Sequence, residues 1–345
     1  MTRVRIRRAI VALVFMLMPL AAIAEPIKLK LAFISSDRSS VYQVDIKPFV
    51  EAVNSEPGSP VKIELYSSGL LGKTVFQQVQ LVLDGTADIA FVVPSYTPER
   101  FPDNSIVGMP GLARDAREST LLFTRLVAAN ALRGYDDFLV INAFATEPQT
   151  LHMRPPVAAL ADLKGKRIGV GSPAHAAVLE KLGMLPVVLP ISQISNAISA
   201  DTLDGGLLPT LLLSDFNVAR LVTHHYFLGI APLAGALLMN RKKFEGLPQP
   251  AQEVILKYGG EWAAARSIEI NGDITDQTVN DLKSNSKRTV ISPSQSDLET
   301  TRVAFKSVTD AWLAEDARNP QLLRAAEAEL AKLRSARQGT KDVIR

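Results

Sequence analysis

The stretch "DLKGKRIGVGS", Asp162 to Ser172, sets three glycines around a short apolar run. Phosphate-binding turns are made from such composition. A dinucleotide fingerprint needs Gly-x-Gly-x-x-Gly, but Gly169-Val170-Gly171 is followed by Ser172-Pro173-Ala174, so the third glycine is missing. A phosphate loop needs Gly-Lys-Ser/Thr after a four-residue spacer, which is also absent. The residues suit another reading: "KRIGV" is a strand whose C-terminal end opens onto a site, and Gly171-Ser172-Pro173 turns into a helix. Ligands of open α/β sheets sit outside strand C-termini, and helix N-termini there favour anions. The histidines are His152, His175, His224 and His225. Neighbours His224 and His225 would point to opposite faces of a strand and chelate poorly. There is no cysteine and no Gly-x-Ser-x-Gly nucleophile elbow. These residues call for no metal, cofactor or catalytic nucleophile, which speaks against an enzyme. His152 is a candidate ligand contact, because Gln149, His152 and Arg154 lie in a segment entering the second half of the chain.

The elements that would position such a site follow from periodicity. "IKLKLAFI" (27–34) alternates and then turns fully apolar, as a strand entering a buried sheet does. Ser35 opens the polar loop after it. Residues 41–54 have helical spacing, although Pro48 disfavours an unbroken helix. "VKIELY" is a second strand, 74–83 a helix and "ADIAFVV" a buried strand ending at Val93. Alternating strands and helices predict α/β architecture with a mostly parallel sheet. "QQVQLVLDGTADIAFVVP" (77–94) and "SQISNAISADTLDGGLLP" (192–209) share a layout of helical run, turn, Asp, short strand and Pro. Two lobes built on one plan would explain the recurrence. Residues 249–283 read as a long helix weakened at Gly259-Gly260. Residues 296–315 and 320–336 read as C-terminal helices, with 337–345 a frayed tail.

Composition narrows the setting. Arg3, Arg5, Arg7 and Arg8, an apolar run to Leu20 and Ala22-Ile23-Ala24 form a secretory signal peptide over residues 1–24, too short for a spanning helix. It carries four arginines and no acid, so its removal takes the formal charge from +3 to −1. The remainder has no basic stripe interleaved with aromatics, which argues against nucleic acid. No other apolar run reaches transmembrane length, so the mature chain is not expected to insert in a membrane. An exported chain without disulfides must be held by its core, as suits a periplasmic protein, expected to be a monomer.

Several segments resemble one family. "LHMRPPVAALADLKGKRIGV", "YSSGLLGKTVFQQVQLVLDGTADIAF", "YTPERFP" (96–102), "LPVVLPISQISNAISADTLDGGLLP" and "LLMNRKKFEGLPQPAQEVI" are similar, in order, to blocks of the solute receptors of tripartite ATP-independent periplasmic (TRAP) transporters. The resemblance implies a two-lobed binding protein, type II-like, with a long helix bridging the lobes. The lobes would be residues 25–147 plus 235–273 and residues 148–234 plus 274–336. It implies closure on one small organic solute, most often an organic acid, and delivery to TRAP membrane subunits. A periplasmic subunit reporting to a membrane sensor kinase is the alternative.

The family clamps a carboxylate with an arginine, a bidentate contact, at the place where this chain has Gly169. Val92 and Val93 stand where polar groups are common, Ile191 where an aromatic is common, and Leu208 where some members have asparagine. Three consequences are open: the clamp has moved to Arg167 or Arg154; a larger, more apolar ligand fills the space beside Gly169; or binding is lost. The candidate ligand contacts are thus Ser35, Val93, Tyr96, Gln149, His152, Arg154, Arg167, Gly169, Ile191 and Leu208.

Overall fold

The computed structural model describes residues 25–343. The expected signal peptide lies outside the described residues, as do the last two residues of the expected tail. The strands are β1 Ile27–Ala32, β2 Val61–Tyr66, β3 Ile89–Val92, β4 Phe138–Ala145, β5 Thr150–Met153, β6 Arg167–Val170, β7 Leu185–Val188, β8 Gly205–Leu208, β9 His224–Tyr226, β10 Ala234–Asn240 and β11 Thr289–Ile291. The helices are α1 Lys47–Ser55, α2 Gln78–Leu83, α3 Ala116–Ala128, α4 Pro173–Lys181, α5 Ile191–Ser199, α6 Arg241–Glu245, α7 Gln249–Lys257, α8 Glu261–Ser284, α9 Gln295–Glu315 and α10 Asn319–Val343.

Two sheets divide the strands. The first runs β2-β1-β3-β10-β4 and the second β11-β9-β5-β8-β6-β7. β1, β2 and β3 are mutually parallel, and β10 runs against both β3 and β4. In the second sheet β6, β7 and β8 are parallel, while β5 runs against β8 and β9. The fully apolar runs are buried on both faces: "IAFV" of β3 and "GGLL" of β8 are each buried throughout, as strands covered by helices on both sides must be. The chain crosses between lobes at 146–149 and again at 227–233.

The crossings pair with each other. Thr146 N–H donates to the Leu233 carbonyl at 3.0 Å, Gln149 N–H to the Ala231 carbonyl at 3.1 Å and Ile230 N–H to the Gln149 carbonyl at 3.2 Å. The Thr146 hydroxyl accepts from Leu233 N–H at 3.0 Å. α8 braces the two lobes, packing on α3 and β4 of the first and on β11 and the 210–212 turn of the second. The expected long helix is broken where the glycines stand: α7 ends at Lys257, and Gly260, at φ +58°, precedes α8. That backbone is strained for any side chain. Pro48 likewise follows a π-helical turn over 42–46 and takes the second position of α1, where no donor is lost.

The C-terminal helices divide between the lobes. α9 lies on α4 in the second lobe, but α10 lies on α3 in the first and continues to Val343, through residues expected to fray. The elbow between them is fastened by Asp103. Its fully buried carboxylate accepts from Arg133 N–H at 2.9 Å, Arg133 Nε at 2.8 Å and Arg318 Nη2 at 3.2 Å. Arg133 also reaches Asp316 at 2.8 Å. The Arg133 guanidinium beside it holds the Asp103 carboxyl below the usual carboxylate range, against its burial. Among the described residues no helix is long and apolar enough to cross a membrane. Asp103→Ala is expected to cost about 2–3 kcal/mol, since it removes hydrogen bonds to charged groups while leaving Arg133 able to reach water. Urea denaturation of the two proteins measures the difference.

Candidate functional site

The strand C-termini of both sheets face one another across the crossings. There the lobes line a partly open cavity of about 150 Å³. From the first lobe come Phe33 and Ser35 after β1, Phe91 and Val93 of the β3 segment, and Tyr96. From the second come Ile191 and Ser192 at the start of α5, with Leu212, Asp215 and Phe216. The crossing residue Leu233 closes one side. The walls are mostly aromatic and aliphatic, with Ser35, Ser39, Ser192 and Asp215 as their polar members, and no Lys, Arg or His lines them. Among the described residues no cluster could hold a metal ion.

Polar contacts of Ser40 and Tyr96 join the lobes at this cavity, the Ser40 hydroxyl also reaching the Leu211 carbonyl at 3.4 Å. Asp215 accepts from Ser40 N–H at 2.7 Å and from the Ser40 hydroxyl at 3.1 Å. Burial pushes the Asp215 carboxyl up from its ordinary value, and the two Ser40 bonds oppose that shift. The Tyr96 hydroxyl oxygen accepts from Ile191 N–H, the first amide of α5, at a long 3.4 Å. Burial pushes the Tyr96 phenol up. Phe76 stands beside the Tyr96 ring, centroids 5.9 Å apart.

Of the residues singled out by sequence, Ser35, Val93, Tyr96 and Ile191 come together on this cavity. The others do not line it. Arg167 is the first residue of β6, whose other end faces the cleft. Four residues of strand separate it from Gly171, about 13 Å. Its guanidinium is held by Asp204, at 3.0 and 3.3 Å. Arg154 follows β5, which runs the opposite way, so it too lies at the far end of the sheet. It pairs with Asp201 and donates to the Ile198 carbonyl at 3.2 Å. Neither arginine therefore stands in for a clamp.

Gly169 does not leave open space. A Cβ there would meet Leu203 Cδ1 at 2.8 Å and Ile194 Cγ1 at 3.0 Å. Gly206, its partner on β8, would meet Ile194 Cγ2 at 2.8 Å. The two glycines let α5 lie directly on the sheet, with Ile194 wedged over both. Leu208 is fully buried in the same aliphatic cluster, behind the cavity floor.

His152 and Gln149 serve the scaffold. His152 is fully buried on β5, opposite His225 of β9. Hydrogen-bond chemistry fixes the tautomers. The Leu208 carbonyl can only accept, so His152 Nε2 carries hydrogen (3.2 Å). His152 Nδ1 is then bare and accepts from His225 Nδ1–H at 2.8 Å. His225 Nε2, bare in turn, accepts from Arg288 Nη1 at 3.3 Å. Burial and the Arg288 charge push His225 down to about 4, and burial with the His225 neighbour pushes His152 well below the usual range. Gln149 Nε2 donates to His175 Nδ1 at 3.2 Å, and burial pushes His175 down to about 4.

Sequence reasoning missed Phe33, Phe91, Leu212, Asp215, Phe216 and Leu233. Phe91 was within reach, since period-two alternation puts it on the same face as Val93. Asp215 carried no local signal; its partner Ser40 is 175 residues away.

Comparison with known proteins places this architecture. A family model described as bacterial extracellular solute-binding protein, family 7, matches residues 33–316. A solute-binding protein of Verminephrobacter eiseniae (strain EF01-2) is 22% identical over 244 residues, covering 70% of this chain and 72% of its own. A TRAP solute-binding protein from Rhodoferax ferrireducens T118, solved with copurified benzoate, superposes with TM-score 0.83 at 22% identity, covering 90% of this chain and 99% of its own. A marine metagenome TRAP solute-binding protein specific for aromatic acid ligands, solved with 3-hydroxybenzoate, gives TM-score 0.81 at 23% identity, covering 89% and 98%.

Two outcomes are expected of this geometry. Gly169→Arg forces Leu203 and Ile194 aside and lowers stability by about 1–3 kcal/mol, the cost of overpacking, without creating a carboxylate clamp; denaturant midpoints and acid titrations by calorimetry check both halves. The buried histidines also set a pH slope. Their folded-state pKa values are depressed, so the unfolded chain binds more protons between about pH 6.5 and 4, and their contribution to stability is lost as pH falls through that window. The raised carboxyls Asp45, Glu147 and Asp215 act in the opposite sense. His152→Gln/His225→Gln, whatever its absolute stability, should therefore lose less between pH 6.5 and 4.5 than the parent protein, by up to about 1.4 kcal/mol per pH unit for each histidine.

Proposed function

The chain belongs to bacterial extracellular solute-binding protein family 7, and from that premise we propose that it is the periplasmic receptor of a TRAP-type transporter that captures a one-ring aromatic acid by lobe closure. The carrying observation is the interlobe cavity. A partly open space of about 150 Å³, lined mostly by aliphatic and aromatic side chains with Ser35, Ser192 and Asp215 at its edge, accommodates a benzene-sized ring. Phe33 and Phe91 of one lobe and Ile191, Leu212 and Phe216 of the other supply walls for that ring. The ligands of the Rhodoferax and marine proteins, benzoate and 3-hydroxybenzoate, support the size and the class.

A carboxylate in this cavity meets neutral donors instead of an arginine. The Tyr96 hydroxyl accepts the first amide of α5 and keeps its own hydrogen to give. A carboxylate oxygen beside it takes the Tyr96 hydrogen and shares the positive end of α5. Asp215 stays occupied by Ser40. The solute fills the space between lobes, so binding favours the closed arrangement. The closed receptor then presents the solute to the TRAP membrane subunits unchanged, acting as a carrier and not a catalyst. Residues 1–24 would be removed on export to the periplasm.

Thermal denaturation against a panel of acids tests the proposal. Benzoate and 3-hydroxybenzoate should raise the melting temperature, with about 2.7 kcal/mol of stabilisation at a hundredfold excess over Kd. Aliphatic dicarboxylates should not. A preference for dicarboxylates, or silence toward every aromatic acid, overturns the assignment. Tyr96→Phe should weaken benzoate by roughly tenfold, the worth of one hydrogen bond to a charged group, as read by isothermal calorimetry.

A further inference from the structure

A second, larger cavity of about 570 Å³ lies against the first. Pro94 and Ser95 of the first lobe, Ser172 and His175 at the start of α4 and Trp312 of α9 line it. The wall between the cavities has two parts. One is the tight 3₁₀ turn Pro94–Tyr96, closed by Tyr96 N–H to the Val93 carbonyl at 3.0 Å and Thr97 N–H to the Pro94 carbonyl at 3.1 Å. Val93 and Tyr96 line the small cavity, Pro94 and Ser95 the large one. The other part is Leu233, which lines both. Its backbone is fastened to Thr146 through N–H and carbonyl alike. The turn is stiff and the Leu233 main chain is tied, so the Leu233 side chain, packed in the aliphatic cluster of Ile191 and Leu212, is the part of the wall that can move without breaking a backbone hydrogen bond.

We propose that the two cavities are the two ends of one binding site, with the Leu233 side chain as its inner gate, and that the solute is an aromatic acid bearing an apolar arm that passes Leu233 into the larger cavity. This rests on the reading of the small cavity as the ring site. The carboxylate sits at Tyr96 and the start of α5, so the arm leaves from the ring position that faces Leu233. His175, the buried imidazole on the arm's path, already holds the Gln149 amide on Nδ1. The imidazole therefore makes no demand for a charged arm there, and Val308, Met109 and Trp312 offer it apolar wall, while Arg133, Lys181, Glu315 and Asp316 also line this cavity, with Arg133 and Asp316 paired to each other. Each buried methylene should tighten binding by about fourfold.

Calorimetric titration with benzoate and with its 3- and 4-ethyl and butyl derivatives decides the matter. Affinity of the parent protein should rise from benzoate to an arm-bearing benzoate by tenfold or more. In Leu233→Trp, which bars the gate, and in Ala177→Trp, which fills the large cavity from α4, that ratio should fall at least tenfold. Leu233→Ala, which removes the gate without adding bulk, should keep the rise and extend it to the butyl arm. If benzoate binds but no arm improves it, or if the ratio is the same in all four proteins, the gate is disproved while the ring site stands. If no benzoate of any kind binds, the ring site falls and the gate with it.

Discussion

Hydrogen bonds between two short crossing segments, Thr146–Gln149 and Ile230–Leu233, govern the rest of the structure. They are the place where each sheet hands the chain to the other. Backbone groups buried at such a crossing must be paired, and here they pair with the opposite crossing. The two connections therefore move as one narrow ladder. Because the ladder sits at the C-terminal ends of the strands, the loops after β1, β3 and β6 and the start of α5 are brought face to face. α8 spans both lobes, and the α9–α10 elbow returns the chain to the first lobe at Asp103. Together they limit how far the lobes can part.

The contacts that hold the cleft closed are modest. Ser40 with Asp215, and Ile191 with Tyr96, are hydrogen bonds of a kind worth about 0.5–1.5 kcal/mol net each, somewhat more where a carboxylate accepts. A solute filling the space between the lobes adds its own burial to these contacts. A buried arginine in the same place would demand a matching carboxylate at every closure, because an unpaired buried charge costs several kcal/mol. The cavity contains none. Its floor is aliphatic, with Ile194 seated on Gly169 and Gly206, and the polar groups beneath it, His152 and His225, are neutral and paired.

Much of the architecture was legible in the sequence, because its signals are local. Period-two runs such as "IKLKLA" and fully apolar runs such as "IAFV" became strands. Gly259-Gly260 marked the break between α7 and α8, and Pro48 the late start of α1. Val93, Tyr96 and Ile191 lie in blocks that resemble the TRAP receptors and Ser35 opens the loop after a strand, and positions beyond strand ends line the cleft of an α/β sheet whatever their side chains.

Strand direction was not legible. Arg154 stands a single residue past β5, and only the antiparallel pairing of β5 with β8 carries it away from the cleft. Arg167 lies on the right strand at the wrong end. Gly169 looked like vacated space because nothing in its neighbourhood of sequence shows that Ile194 and Leu203, more than twenty residues on, fill it. The sequence by itself determined the elements and the alternation that makes two α/β lobes. These rest on the chemistry of neighbouring residues. The tertiary structure alone decided which side chains share the cavity, how Asp215 meets Ser40 and where Leu233 stands between two chambers. Those are contacts between residues far apart in the chain, settled only when the whole core packs.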